Sequence, residues 1–329
     1  FLFGALFSRR PGPVPEVLEI TGATMGTSYR ILVVESGLDT AGQQALGRSV
    51  EETLFAVNES MSTYISDSEI SRFNSHRSLE PVGVSDGFEE VLSLALAISS
   101  RSQGAFDVTV GPLVNLWGFG PEDAPEAVDE AVLEETLSRV GFAHLALSNG
   151  AVAKSNPALE VDFSAIAKGW GVDQLADLLV EKNHQDFLVE IGGEVRASGL
   201  NPENQPWRLG IEKPLIGERE VHHVVELKNQ AMATSGDYRN FVGEGAQRRS
   251  HSIDPRTGRP VAHSLASVSV VAADCASADA WATALTVLGP EEGFEIAEKE
   301  GIVAFFLVRE NDGSFSEKTT AAFGRLSAP

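Results

Sequence analysis

The segment Phe187–Ser198 alternates around a central Gly192-Gly193. Two glycines between alternating runs leave no length for a crossover, so these runs predict an antiparallel hairpin. Leu18–Glu35 reads similarly, as strand–turn–strand around Thr24–Thr27. Trp207–Lys213 and Val221–Leu227 are further strand candidates. Helical patterns lie between them. Ala41–Ser60 places Leu46, Val50, Leu54 and Val57 at helical spacing. Gly87–Gln103 is a second amphipathic helix ending at Gly104, and Asp129–Val140 a third, closed by Gly141. Leu159–Phe163 reads as a short strand feeding a helix from about Ser164 to Asn183. Ser267–Ala273 is an apolar strand, followed by a helix Ala278–Leu288 stopped at Gly289-Pro290. Helices interleaved with hairpins predict α+β layers rather than a doubly wound parallel sheet.

The chain has 329 residues, enough for about two lobes around an ample core. Its net charge of -22 repels nucleic acid and anionic lipid headgroups. An anionic small ligand would need a local cationic device, a metal ion or a placed Lys. The single cysteine, Cys275, excludes an internal disulfide, a zinc ribbon and an iron–sulfur cluster. The opening Phe1–Phe7 is apolar but far shorter than the roughly 20 residues of a membrane span. It reads either as the remnant of a signal or anchor, or as a buried strand. Pro11–Pro15 is a linker, so residues 1–17 stand apart from a domain over 18–329. Pro121–Pro125 is an acidic loop. The chain contains no GxGxxG, GxxxxGK[ST], HExxH, GxSxG or SxxK.

Polar chemistry gathers in Gly-, Ser-, Thr- and Asp-rich blocks. Asp279 and Thr283, at i and i+4 early in a helix, project from one face. A carboxylate and a hydroxyl there suit a hard cation, Mg²⁺ before zinc. The alternative is a helix-dipole aspartate and a threonine bonded to its own backbone. Asp162 and Lys168 flank a strand-to-helix junction that Ser164 can cap, leaving N–H groups for an anion. A surface ion pair is the competing reading. Gly169, inside that predicted helix, points to close approach of a ligand or backbone. In Gly104-Ala105-Phe106-Asp107 the extended backbone and Asp107 offer groups to a ring edge or ribose, or else Asp107 makes an Asx turn. His251 precedes the turn Ile253-Asp254-Pro255-Arg256-Thr257-Gly258 and is either a loop histidine or a general base. Thr234-Ser235-Gly236-Asp237 reads as a turn forming a wall of the site. Ser164 and Lys168 are spaced i, i+4, which does not fit a Ser–Lys hydrolase.

The blocks continue with Thr24-Met25-Gly26-Thr27, Met61–Glu69 around Tyr64, Trp117-Gly118-Phe119-Gly120 and Ile191-Gly192-Gly193-Glu194. In this order, from about Thr21 to Phe306, they resemble the FAD:protein FMN transferases, the ApbE family. The resemblance implies a two-lobed, T-fold-like α+β fold of mixed sheets and helices, with the ligand in the cleft between lobes. It implies transfer of FMN from FAD to a Thr or Ser of an acceptor protein, with release of AMP. Asp279, Thr283 and the Ala165 main-chain oxygen match Mg²⁺ ligands. Met25, Tyr64, Ala105, Phe106, Asp107, Asp162, Lys168 and Ile253 match positions that touch FAD, and His251 matches the base. The implied acceptor is a flavoprotein subunit of a membrane redox complex. The implied location is the periplasm or the outer side of the cytoplasmic membrane. A FAD pyrophosphatase would use the same residues; a noncatalytic FAD-binding protein is the other alternative, against which the intact metal and base positions argue. Thr21-Gly22-Ala23-Thr24 approaches the family's acceptor motif, but Leu18 replaces its acidic residue, which argues against self-modification.

Overall fold

The computed structural model describes residues 15–120, 128–214, 220–236, 241–242 and 249–326. The first 14 residues and the acidic loop after Gly120 lie outside them. In chain order the elements are β1 (Val17–Thr24), β2 (Thr27–Val34), α1 (Thr40–Met61), α2 (Glu69–Ser75), β3 (Val82–Gly83), α3 (Asp86–Arg101), α4 (Gly111–Leu116), α5 (Glu130–Leu137), β4 (Leu145–Ser148), β5 (Ala151–Lys154) and α6 (Ala167–Glu181). They continue with β6 (Phe187–Ile191), β7 (Glu194–Ser198), β8 (Trp207–Glu212), β9 (Val221–Leu227), β10 (Gln230–Gly236), β11 (Phe241–Val242), β12 (Arg249–Ser250), β13 (Ile253–Asp254), β14 (Arg259–Pro260), β15 (Leu265–Ala272), α7 (Cys275–Glu300), β16 (Val303–Arg309), β17 (Phe315–Thr319) and α8 (Ala321–Leu326).

Eight strands form one sheet in the order β1-β2-β6-β7-β10-β15-β16-β17. Every strand pairing among the described residues is antiparallel, the hairpins and the pairs joined by long connections alike. The α+β class therefore holds. Alternation sorts the side chains between two faces. Val189 and Ile191 pack with Val172 and Leu175 of α6 and Leu54 of α1. Leu188, Val195 and Met232 point the other way, onto Trp207 and Leu209 of the β8–β9 hairpin. Ala233, Val268 and Val270 meet α7, whose cluster extends to Phe73, Phe88 and Val152 in the α2, α3 and β5 layer. A satellite core joins α4, α5 and β13 through Leu113, Leu116, Leu133 and Ile253.

Register brings three strand ends together. Tyr29 pairs with Ile191, so the Met25-Gly26 turn lies beside Gly192-Gly193. Met232 pairs with Val195, so β10 carries Thr234–Gly236 past the Glu194 end of β7. Thr234–Gly236 are thus strand, not turn, because β10 continues along β15 to the pair Gly236–Ser267. Asp237 lies outside the described residues.

Two predicted boundaries move. Leu159–Phe163 joins no strand ladder. The Asn74 side chain takes a partner strand's place, donating to the Val161 carbonyl at 2.8 Å and accepting from its N–H at 2.7 Å. α6 begins at Ala167, and Ser164 does not cap it. The Ser164 N–H and hydroxyl donate instead to Asp162 Oδ1, at 2.8 and 2.5 Å. α7 starts earlier than predicted, capped by Asp274, and its helical twist breaks at Gly289 (φ 81°) as expected. Helical turns then resume through Pro290 to Glu300. Proline is tolerated there because it opens the new turn, where no N–H partner is needed.

Candidate active site

The site is built where α6 crosses the start of α7. A Cβ on Gly169 would lie 2.4 Å from the Cys275 carbonyl oxygen, so only glycine permits this backbone contact. The predicted close approach is therefore to backbone. Asp173, one turn further along α6, accepts from the Cys275 and Ala276 N–H groups at 2.9 Å and receives Arg196 Nη1 at 2.8 Å. It thereby supplements Asp274 at the positive end of α7. These contacts fix α7 against α6.

That clamp sets Asp279. Its side chain is buried, and its Oδ2 accepts the Gly169 N–H at 3.1 Å. In a continuous helix this amide would bond the Ala165 carbonyl. Turned to Asp279, it leaves that carbonyl outside the helical ladder. Thr283 follows one turn after Asp279, its hydroxyl 3.4 Å from Ser235 Oγ on β10. A carboxylate, a hydroxyl and a main-chain carbonyl are all hard oxygen donors, which fits Mg²⁺ or a similar ion. Among the described residues, no group of three His, Cys, Asp or Glu could hold a metal by side chains alone. A mixed oxygen set is thus the arrangement on offer.

Lys168 supplies the positive charge. Its Nζ lies 2.7 Å from Glu194 Oε1 and 3.8 Å from Asp279 Oδ1. Burial pushes the ammonium toward neutrality, but Asp279 and Glu194 outweigh it and hold its pKa above the ordinary lysine value. Burial lifts the Glu194 carboxyl above its ordinary value, with Lys168 pulling back and Asp279 adding to the rise. Gly192, at φ 61°, allows close packing: a Cβ there would meet Thr27 Cγ2 at 2.8 Å and Lys168 Cδ at 3.4 Å. Met25, at φ 50°, reaches over to α6, where a Cβ on Gly171 would meet its Cε at 2.9 Å. Lys168, Met25, Asp279, Thr283 and Ala165 are thus brought to one place.

A second wall comes from the α3–α4 connection and the loop after β12. Ala105 and Phe106 are buried. Asp107 accepts from the Thr109 N–H at 2.8 Å and from the Phe142 N–H at 2.8 Å, and burial raises its pKa. Its carboxylate is committed to the turn, which is the Asx alternative. Asp162 joins this wall, its N–H donating to the Val108 carbonyl at 2.6 Å. His251 is half-buried and sits edge-on to Phe119 at 6.4 Å. Ile253 is core rather than surface, packed with Leu113 and Leu133. Arg256 pins the loop, pairing with Asp254 at 3.0 Å and with Glu292 of α7 at 2.7 Å. Trp117 Nε1 donates to the Gly258 carbonyl at 2.7 Å. Tyr64, beyond the end of α1, is 73% exposed and free to stack on a flat ring. A separate concavity of about 570 Å³ on the outside of α3 is lined by Asp86, Glu89 and Glu90 and holds none of these residues. Its carboxylates repel a diphosphate.

The sequence pattern of the ApbE family matches residues 25–306. The chain belongs to the ApbE family. Among its ApbE relatives, the FAD:protein FMN transferase of Vibrio cholerae is 43% identical over 309 residues, covering 94% of this chain and 92% of that one. The FAD:protein FMN transferase of Escherichia coli K12 is 38% identical over 302 residues, covering 90% and 86%. The solved structure of the Vibrio cholerae flavin transferase ApbE superposes with a TM-score of 0.87 at 42% identity, over 94% of this chain and 99% of that one. The apo structure of the Pseudomonas stutzeri flavinyl transferase ApbE also gives 0.87, at 39% identity over 95% and 97%.

Sequence reasoning assigned no role to Glu194, Asp173 or Arg256. A signal for Glu194 existed: a carboxylate opening a strand whose neighbours Val195 and Ala197 are apolar must find a cation if buried. Asp173 lies four residues after Gly169, on the same helix face, which was a second signal.

Proposed function

We propose that this chain transfers the FMN portion of FAD to the hydroxyl of a Thr or Ser in an acceptor protein, forming a phosphoester and releasing AMP. The observation that carries this reading is the α6–α7 crossing. There a cation-ready oxygen set and a charged lysine stand side by side in a strongly acidic protein. Asp279, Thr283 and the Ala165 carbonyl would hold Mg²⁺. When bound, that ion supplies neutralisation of charge on the diphosphate and its leaving group. Lys168 adds a fixed positive charge beside the same oxygens. Met25, Tyr64 and Asp162, with Ala105, Phe106, Asp107 and Ile253 through their main chains, orient the flavin nucleotide. The acceptor oxygen attacks the FMN-side phosphorus, the bond to AMP breaks, and His251 takes the hydroxyl proton. No nucleophile of this chain is needed, since such transfers rest on positioning and charge neutralisation.

The acceptor we propose is a flavoprotein subunit of a membrane redox complex, met in the periplasm or at the outer side of the cytoplasmic membrane. Among the described residues no helix is long and apolar enough to cross a membrane. The test is incubation with FAD, Mg²⁺ and a tagged acceptor peptide, read by intact mass. The expected result is a gain of one FMN on the peptide with matching AMP. Free FMN and AMP without peptide modification would make the protein a FAD pyrophosphatase. Retained FAD without turnover would make it a binding protein.

A further inference from the structure

Glu194 is a buried charge beside the site that this mechanism does not use. Its side chain is 6% exposed, against 30% for Lys168 and 4% for Asp279. Oε1 takes the Lys168 ammonium, while Oε2 has no hydrogen-bond partner. Burying a carboxylate with one oxygen unpartnered is costly, and its pairing with Lys168 is what offsets that cost. Lys168 stands between two carboxylates, within bonding distance of Glu194 at 2.7 Å but not of Asp279 at 3.8 Å. Asp279 Oδ2 is occupied by the Gly169 N–H, so Oδ1 is the oxygen that a divalent ion needs. An ammonium bonded there would compete directly with the ion.

We propose that Glu194 is a positioning residue that holds the Lys168 ammonium off Asp279, keeping that carboxylate open to a divalent cation. Its own placement is firm. It follows the tight Gly192-Gly193 turn, whose Gly193 N–H donates to Glu190 Oε1 at 2.8 Å. Gly192 itself is packed against Thr27 and the Lys168 stem. Without a charge at position 194, Asp279 becomes the nearest carboxylate to the ammonium. Lysine's flexible stem then closes the remaining gap. The inference rests on the reading of Asp279 as a cation ligand.

The test is a double-mutant cycle read by Mn²⁺ binding, from the EPR signal of free Mn²⁺, without FAD and at fixed pH. Asp279→Asn should abolish binding; retained affinity there would overturn the ligand reading itself, whatever the cycle gives. Glu194→Gln should weaken Mn²⁺ binding about tenfold, the scale of outer-shell effects on metal sites. Lys168→Met should bind Mn²⁺ at least as tightly as wild type. The decisive protein is the double variant Glu194→Gln/Lys168→Met, expected within about twofold of Lys168→Met alone because the competitor is gone. If Glu194→Gln weakens binding as much in the Lys168→Met background as in wild type, Glu194 acts on the ion directly and the proposal fails. An unchanged affinity in Glu194→Gln also overturns it. Should that variant not fold, Glu194→Asp, which draws the carboxylate back by one methylene, must weaken binding only while Lys168 is present.

Discussion

The two walls of the site are built in opposite ways. The α6–α7 crossing is set by backbone touching backbone: Gly169 against Cys275, with Asp173 and Asp279 bonded to amides of the opposite helix. The His251 wall is a loop held by side chains, with Arg256 paired to Asp254 and Glu292, and Trp117 donating to Gly258. At the first wall a half-buried ammonium meets buried carboxylates; at the second, Ile253 packs on Leu113 and Leu133, and Asp107 is tied to backbone amides. A backbone joint fixes positions tightly and tolerates little. A loop pinned by side chains can follow a ring or an acceptor hydroxyl. The first wall therefore suits the diphosphate, and the second suits the flavin nucleotide and the proton.

Four changes test whether the walls differ as described. Asp279→Asn should lower Mg²⁺-dependent AMP release by about 10³-fold, because it removes charge stabilisation in the transition state. Near-normal release in this variant would remove the first wall from the chemistry. Gly169→Ala should destabilise the fold by about 3 kcal/mol in urea melts, since its Cβ meets backbone that has nowhere to move. A neutral effect would mean the joint is loose. His251→Ala should reduce kcat by about 10²-fold while leaving Mn²⁺ affinity intact. Loss of both would show that the walls are not separable. The smallest effect concerns pH. Burial lifts Asp173 to about 6, against the Cys275 and Ala276 amides and Arg196. A carboxyl whose pKa is raised by folding stabilises fully below its unfolded value, near about 3.9, and that contribution fades as pH rises through the folded one. Asp173→Asn cannot titrate, so it should flatten the fall in unfolding free energy between about pH 4 and pH 6. An unaltered slope in urea melts would count against this origin.

The sequence made legible what local rules govern. Both hairpins, around Thr24–Thr27 and Gly192-Gly193, appear where alternation and turn residues put them. So do α1 and α3, from their apolar spacing. What escaped depends on contacts between distant segments. Asn74 satisfies Val161 and so leaves a strand-like run without a ladder. Ser164 is diverted to Asp162, which shifts the start of α6. Gly169 was legible as a close approach, but not that Cys275 was its partner. Asp107 carried two readings; Thr109 closes the turn on one carboxylate oxygen, and Phe142, 35 residues away, takes the other. Glu194 was legible only as a carboxylate in need of a cation; that Lys168 is its partner shows only when both are placed.

Crystals soaked with Mn²⁺ and ADP, measured at the manganese absorption edge, would locate both the ion and the diphosphate. An anomalous peak bounded by Asp279, Thr283 and the Ala165 carbonyl, with the diphosphate beside Lys168, is the result expected here. A diphosphate seated elsewhere, with no manganese at the start of α7, would contradict the account.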